Sequence, residues 1–309
     1  MAWSEDNIHR WLSRQVKPSI LRGSAGHDAC VLTRPSGREV LCTDQVVLGV
    51  HCEVDSAPKA VGRKAAARAL SDLAATAATP RALTLAVRAP AATSEAVIRG
   101  WVRGVMEEGD SFGAPLCGGD LSCSAGPASL CITASGEYPL RGKPPGRDRA
   151  KPGDCVVLTG PVGGSRLGRH LNIATRVEAG ARLHFTHGAK AMMDVSDGLA
   201  WDLFRLCRAS GVMGTITSVP IHSDARRASK QDGVSALSHA LHDGEDHELI
   251  ATLSAGRVRA ALADPSPELS GLAVIGVISS GSGLRLSADV GGGSARRWTP
   301  REGGWRHGS

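Results

Sequence analysis

Short apolar runs rich in Val, Leu and Cys alternate along this chain with amphipathic or alanine-rich stretches of helix length, and a Pro-, Gly-, Lys- and Arg-rich segment at residues 139–153 interrupts the alternation. Residues that bury poorly and break regular structure mark a domain boundary. Before it, residues 29–32, 39–48, 83–87 and 130–137 read as strands. Residues 56–78 read as a helix with Pro58 in its first turn, and residues 93–108 as another, with Val97, Trp101 and Val105 at helical spacing. After it, strands are expected at 154–159, near Met192, at 215–219 and at 248–253, with helices near 177–184 and 199–210 and a glycine-rich tail from Gly281. The pattern predicts a mixed α/β (α+β) chain of two domains, residues 1–140 and 150–309. No period of 20 to 50 residues argues for a repeat solenoid.

The N-terminus, Ser4-Glu5-Asp6 followed by Ile8, Trp11, Leu12 and Val16, reads as a capped amphipathic helix and not a signal peptide. No apolar run is long enough to span a membrane, so no membrane role is expected. Eight cysteines, at 30, 42, 52, 117, 123, 131, 155 and 207, form no C-x-x-C pair, which fits reduced, buried thiols and a cytoplasmic protein. The formal charge of +6 is scattered, and the few aromatics do not interleave with Lys and Arg. A surface attracting small anions is therefore favoured over a nucleic-acid partner.

Chemistry is written in single aspartates at the ends of apolar runs, each flanked by small or hydroxyl residues: Asp28, Asp44, Asp72, Asp120, Asp194 and Asp197. A small neighbour leaves room for phosphate and water beside the carboxylate. Carboxylates brought together repel one another unless a cation such as Mg²⁺ keeps them ionised. Any one aspartate taken alone is more often a helix cap or a turn residue. Asp72 lies inside a helical stretch, so a cap does not explain it.

A Walker-type loop and a protein-kinase signature set are absent. Residues 159–164, Thr-Gly-Pro-Val-Gly-Gly, depart from the dinucleotide fingerprint and read as a plain turn. His239, His242 and His247 surround Asp243 and Glu245, but their spacing matches no zinc pattern, and polar packing is the expectation. Glu245 and Asp246, after Gly244 at a strand entrance, are expected at a cleft edge, placed to receive a cationic ligand.

In order, G-x-D-A at Gly26, T-D at Thr43, G-V-H at Gly49, L-S-D-L-A-A at Leu70, G-G-D at Gly118, K-P-G-D at Lys151, D-V-S-D-G-L at Asp194 and G-E-D-x-E-L at Gly244 resemble the thiamine-monophosphate kinase family. The resemblance runs from Gly26 to Leu249, with an echo at Gly304-Trp305. It implies an aminoimidazole ribonucleotide synthetase-like fold, a homodimer through a sheet of the first domain, and ATP with several Mg²⁺ ions in a cleft. It implies metal ligation by Asp28, Thr43, Asp44, Asp72, Asp120, Asp194 and Asp197, with Cys42 lending a backbone oxygen. ATP would face Gly119, Asp120, Arg147 and Ser196, and thiamine monophosphate would face His51, Glu245 and Trp305. Asp72, Asp120 and Arg147 would carry the catalysis. The acceptor is itself a phosphate, ionised near neutral pH, so the reaction needs charge neutralisation rather than a general base.

Departures from the family pattern are His27 in place of an aspartate, Ala69 of an asparagine, Leu121 and Cys123 of a threonine and an arginine, and His247 of a tyrosine. The segment from Gly160 to His170 is also short. A sister enzyme resembling aminoimidazole ribonucleotide synthetase and a nucleotide-binding regulator without catalysis are the other readings. Selenophosphate synthetase is disfavoured because no reactive N-terminal cysteine with a nearby lysine is present, and a hydrogenase-maturation protein because the chain lacks a terminal cysteine.

Overall fold

The computed structural model describes residues 5–12, 14–15, 32 and 36–304, which fold as two compact units. One holds the described residues up to Leu73 with Ala78–Gly142, the other Ala74–Ala77 with Lys143 onward. The strand expected at residues 29–32 lies outside the described residues except for Leu32, and the Ser4 cap lies outside them too.

The first unit runs α1 (Glu5–Leu12), β1 (Arg38–Val47), α2 (Pro58–Ala75), β2 (Thr79–Ala89), α3 (Glu95–Ser111), β3 (Leu116–Cys123) and β4 (Ser129–Tyr138). Its sheet has the order β1-β4-β2-β3, antiparallel except for the β2–β3 pair. Alternation along the strands separates two faces. Leu83, Leu85, Val87, Leu130, Ile132 and Ala134 are buried on the helix side. There Leu73 of α2 packs at Gly136, and Leu83 packs at Gly109 of α3. On the other face Leu41 (64% exposed), Thr43, Gln45, Ala86 and Thr133 form an open surface. The two helices approach closely because Gly62 and Gly104 face each other's backbone: a Cβ on Gly62 would lie 1.9 Å from the Trp101 carbonyl oxygen, and one on Gly104 2.1 Å from that of Lys59. The Ser94 hydroxyl caps α3 by accepting from the Val97 N–H.

The second unit runs β5 (Asp154–Leu158), α4 (Val177–Phe185), β6 (Met192–Asp194), α5 (Leu199–Ser210), β7 (Val212–Ile216), α6 (Ser223–Asp232), α7 (Ala236–His242), β8 (Leu249–Ser254), α8 (Ala255–Leu262), β9 (Ala273–Ser280), β10 (Gly283–Leu286), α9 (Ala288–Gly291) and β11 (Arg296–Trp298). Its sheet has the order β11-β10-β7-β9-β5-β8-β6. Residues Leu249–Leu253 of β8 are all buried, so this strand is covered on both faces. Leu199, Leu203 and Leu206 of α5 join Val156, Leu158, Ile250, Ile278, Leu284 and Leu286 in one core. The glycine-rich stretch from Gly281, expected as a tail, is folded instead. Leu284, Leu286 and Trp298 are buried there because β10 and β11 extend the sheet.

Seven cysteines fall among the described residues and none is bridged. Cys52, Cys117 and Cys207 are buried as expected, whereas Cys123 is exposed at the end of edge strand β3. Among the described residues no helix is long and apolar enough to cross a membrane.

Candidate functional site

In the first unit, strand register decides where each singled-out residue points. Asp44 pairs across to Ile132, Ile132 to Leu85 and Leu85 to Gly119, a row on the helix side. Asp120 falls in the next row, with Ala86, Cys131 and Gln45, on the open face. Thr43 is also on the open face, its Oγ1 2.9 Å from that of Thr133. Gly119 is a close approach, because a Cβ there would stand 1.9 Å from the Leu85 carbonyl oxygen.

Behind the sheet, Cys42 Sγ lies 3.2 Å from the Ala69 carbonyl, tying β1 to α2. One residue earlier on that helix, Arg68 engages Asp44 through Nε–Oδ2 at 3.1 Å and Nη2–Oδ1 at 3.0 Å. Asp72 follows Arg68 at i+4 and so lies on the same stripe of α2, inside the helix as the sequence predicts. His51 is buried, and its Nδ1 accepts the Val47 N–H at 3.0 Å, which leaves the ring proton on Nε2.

In the second unit, antiparallel pairing of β6 with β8 sets the end of one strand beside the start of the other, Asp194 opposite Leu249. The loop after β6, Asp194-Val195-Ser196-Asp197-Gly198, therefore lies against the loop before β8, Gly244-Glu245-Asp246-His247-Glu248. Backbone bonds continue the ladder beyond the strands: Val195 N–H to the Glu248 carbonyl, His247 N–H to that of Val195, and Glu245 N–H to that of Ser196, each at 2.8 Å. Glu245 and His247 hold φ near +55° and +52°, a left-handed backbone uncommon for side chains of this size. His247 is fully buried between two carboxylates, with Nδ1 3.1 Å from Asp194 Oδ2 and Nε2 3.7 Å from Glu245 Oε2. Burial opposes its charge, but the hydrogen bond to Asp194 and the nearby Glu245 carboxylate outweigh it and push its pKa up to about 9.

Asp202, in the first turn of α5, holds the first of these loops. Its Oδ2 accepts the N–H groups of Ser196 at 3.0 Å and Asp197 at 2.9 Å. Burial, with the nearby Asp197 charge, pushes its pKa up to about 8. Arg205 bonds Asp197 and reaches Asp202 Oδ1 at 3.2 Å, its guanidinium 4.9 Å above the Trp201 ring.

The second loop is held from below. Gly163 N–H donates to Asp246 at 2.9 Å, Gly164 N–H to Asp243 at 2.8 Å, and Arg169 to Asp246 at 2.8 Å. The turn at residues 159–164 thus cradles the protein's own carboxylates. Asp246 corrects the cleft-edge expectation: it is buried against this turn, and burial pushes its pKa up to about 6 despite Arg169. Glu248 likewise faces inward to Arg176, with Nε–Oε2 at 2.9 Å. His239, as expected, packs in a polar setting, with Nδ1 3.0 Å from Asp243 and Nε2 3.2 Å from Asp232.

The structure thus gathers Asp194, Ser196, Asp197 and Glu245 at one loop pair, and sets Asp72 one turn along α2 from the Arg68 that engages Asp44. It separates Asp120 and Thr43 from Asp44 by turning them to the other face. Arg147 is exposed in a segment anchored where Ser210 Oγ donates to the Arg147 carbonyl at 2.8 Å. Asp28 and Trp305, with His27, lie outside the described residues. The residues missed in the sequence are Arg68, Asp202 and Arg205, whose only signal was spacing: Arg68 four before Asp72, Asp202 five after Asp197.

Oxygen donors of this kind suit Mg²⁺, which takes few carboxylates and completes its octahedron with water or phosphate. The fit is uneven. Among the described residues no group of three or more His, Cys, Asp or Glu is set to hold a metal by itself. Asp194 and Asp197 bring carboxylates to a shared loop, with one oxygen of each engaged by His247 and Arg205, and both oxygens of Asp44 are engaged by Arg68.

A family profile described as AIR synthase related protein, N-terminal domain, matches residues 26–138. A thiamine-monophosphate kinase of Rhodopirellula baltica is 37% identical over 254 residues, covering 78% of each chain. The crystal structure of thiamine-monophosphate kinase from Stenotrophomonas maltophilia K279a superposes with a TM-score of 0.80 at 32% identity, covering 93% of this chain and 98% of that one. AaThiL complexed with AMPPCP and TMP superposes with a TM-score of 0.72 at 24% identity, covering 98% and 96%, a likeness of fold.

Proposed function

This chain belongs to the thiamine-monophosphate kinase family, and we propose that it moves the γ-phosphoryl group of ATP onto the phosphate of thiamine monophosphate, giving thiamine diphosphate and ADP. The observation that carries this reading is the loop pair at the β6–β8 end, where Asp194, Ser196, Asp197 and Glu245 are brought together on a backbone ladder. An oxygen of the acceptor phosphate bonds to the γ-phosphorus as the bond to the β-phosphate bridge breaks. That oxygen is already ionised near neutral pH, so no side chain takes a proton.

Asp44, Asp72, Asp120, Asp194 and Asp197, with Asp28, Thr43 and Cys42, are the proposed Mg²⁺ ligands, and bound Mg²⁺ would supply the charge neutralisation that two polyanions require. Gly119, Asp120, Arg147 and Ser196 receive ATP. His51, with its proton on Nε2, is suited to donate to the acceptor phosphate; Glu245 and Trp305 take the cationic thiazolium. The open face of the first sheet, with Leu41 projecting from edge strand β1, supports a homodimer in which a second copy covers it. Residues 1–140 and 150–309 are the proposed domains, and the seven described cysteines, none of them bridged, support a cytoplasmic site of action.

The test is chromatography of a reaction holding the full chain, Mg·ATP and thiamine monophosphate. Thiamine diphosphate and ADP should appear in equal amounts and disappear when EDTA removes the metal. ADP release indifferent to the acceptor would overturn the assignment.

A further inference from the structure

We infer that Arg68 is a built-in cation at Asp44, so that a guanidinium holds one of the positions where the family resemblance implies magnesium; this rests on Asp44 belonging to the metal-binding carboxylates of the proposed function. Asp44 accepts from Arg68 on both oxygens, at 3.1 Å and 3.0 Å, and its Oδ1 also accepts the Gln45 N–H at 2.7 Å. The fork matches the carboxylate edge, the geometry in which such pairs are strongest. It is also partly dehydrated, with the two side chains 11% and 23% exposed, so water screens it less than a surface pair.

Two features fix the pair in place. The Cys42 thiol against the Ala69 carbonyl ties β1 to the turn of α2 that carries Arg68, and Asp44 stands two residues on from Cys42 on the same face of β1. Asp72 sits one helical turn, about 6 Å, beyond Arg68 along the same stripe of α2. Position 69, next to Arg68, is alanine where the family pattern carries asparagine.

A divalent cation entering at Asp44 must displace two charge-assisted hydrogen bonds and approach a positive charge that cannot be shed, because arginine stays protonated throughout the accessible pH range. Arg68 therefore lowers metal affinity at Asp44 and supplies a fixed single charge there. The chain then runs with fewer divalent ions than its aspartates would hold.

Counting bound Mn²⁺ by electron paramagnetic resonance tests this in the full chain, without and with a non-hydrolysable ATP analogue. Arg68→Ala and Arg68→Gln should each bind one more Mn²⁺ than the parent, or bind the weakest ion about tenfold more tightly. Adding Asp44→Asn to either should restore the parent isotherm. Arg68→Gln keeps a long helix-favouring side chain, so it serves if the alanine variant melts without cooperativity. Identical isotherms in parent and Arg68→Gln, with Asp44→Asn alone lowering the parent's count, would overturn the inference. A parent that makes no thiamine diphosphate would sink the proposed function and leave these counts readable.

Discussion

Asp44 and Asp120 occupy opposite edge strands of one four-stranded sheet and point to opposite faces of it. Three strand spacings separate them by about 14 Å, more than any single Mg²⁺ can bridge. If the homodimer proposed above forms through the open face carrying Asp120, one reaction can draw Asp44 and Asp120 from different copies of the chain. Complementation reads this directly. Asp44→Asn, which takes the Asp44 charge away from Arg68, and Asp120→Asn should each be inactive as pure proteins. Subunits exchanged in equal amounts should recover about a quarter of parent activity, because half the dimers are mixed and one of their two sites is intact. No recovery after verified exchange would place both carboxylates in the same chain's chemistry.

Asp202 is the second test, since it touches the reaction only through what it holds. Asp202→Ala strips the acceptor from two N–H groups and should cost about 2–3 kcal/mol in urea denaturation. Asp202→Asn keeps an acceptor oxygen for the two N–H groups but turns an amide donor toward Arg205 in place of the oxygen that accepts from it. It should keep most of the stability while the Mg²⁺ concentration for half-maximal activity rises about tenfold. A purely structural Asp202 would leave that metal dependence unmoved.

How much of this was legible beforehand depended on whether the signal was local. Helix α5 was read at its observed bounds because Leu199, Leu203 and Leu206 keep a helical period and Gly211 ends it. Asp72 stands out in the sequence because it lies inside a helical stretch, where no cap explains it, and the structure places it inside α2. Strand β3 is not legible in the sequence, because paired glycines at 118 and 119 weaken a strand signal; only the neighbouring strand shows that Gly119 is small because the Leu85 backbone occupies the space of a Cβ. The opposition of Asp44 and Asp120 is a matter of register, and a single strand's sequence does not carry its partner's alignment. Arg68 and Asp202 were passed over for a related reason: a salt-bridged arginine and a solvated one look alike until the acceptor is placed beside them.

His239 gives a pH dependence with a definite sign. Both ring nitrogens face carboxylates, which only accept, so the folded ring is an imidazolium. Burial opposes that charge, and the bonds to Asp243 and Asp232 overcome it, raising the pKa above the ordinary 6.5. A raised pKa means the stabilisation is complete below the unfolded value and is lost as pH rises through the folded one. The melting-temperature gap between parent and His239→Gln should therefore be widest near pH 6 and shrink by about pH 9. A gap that grows with pH would show the ring to be neutral in the folded protein.

Gly304 links the C-terminal segment to the loop at Asp197. A Cβ on Gly304 would lie 2.9 Å from Trp201 Cβ and 3.2 Å from the Asp197 carbonyl oxygen, and φ there is +95°. Only glycine takes that backbone without strain while lying flat on the start of α5. Trp305, the next residue in the sequence, lies outside the described residues. If the indole receives the thiazolium, lifting the segment should weaken the acceptor and spare the nucleotide. Gly304→Ala should raise KM for thiamine monophosphate roughly tenfold and leave KM for ATP within about twofold, the pattern of a lost ground-state contact. Steady-state kinetics with each substrate varied in turn checks it. An equal rise in both constants would mean that Gly304 supports the Asp197 loop as a whole and that the aromatic side chain is not the acceptor's partner.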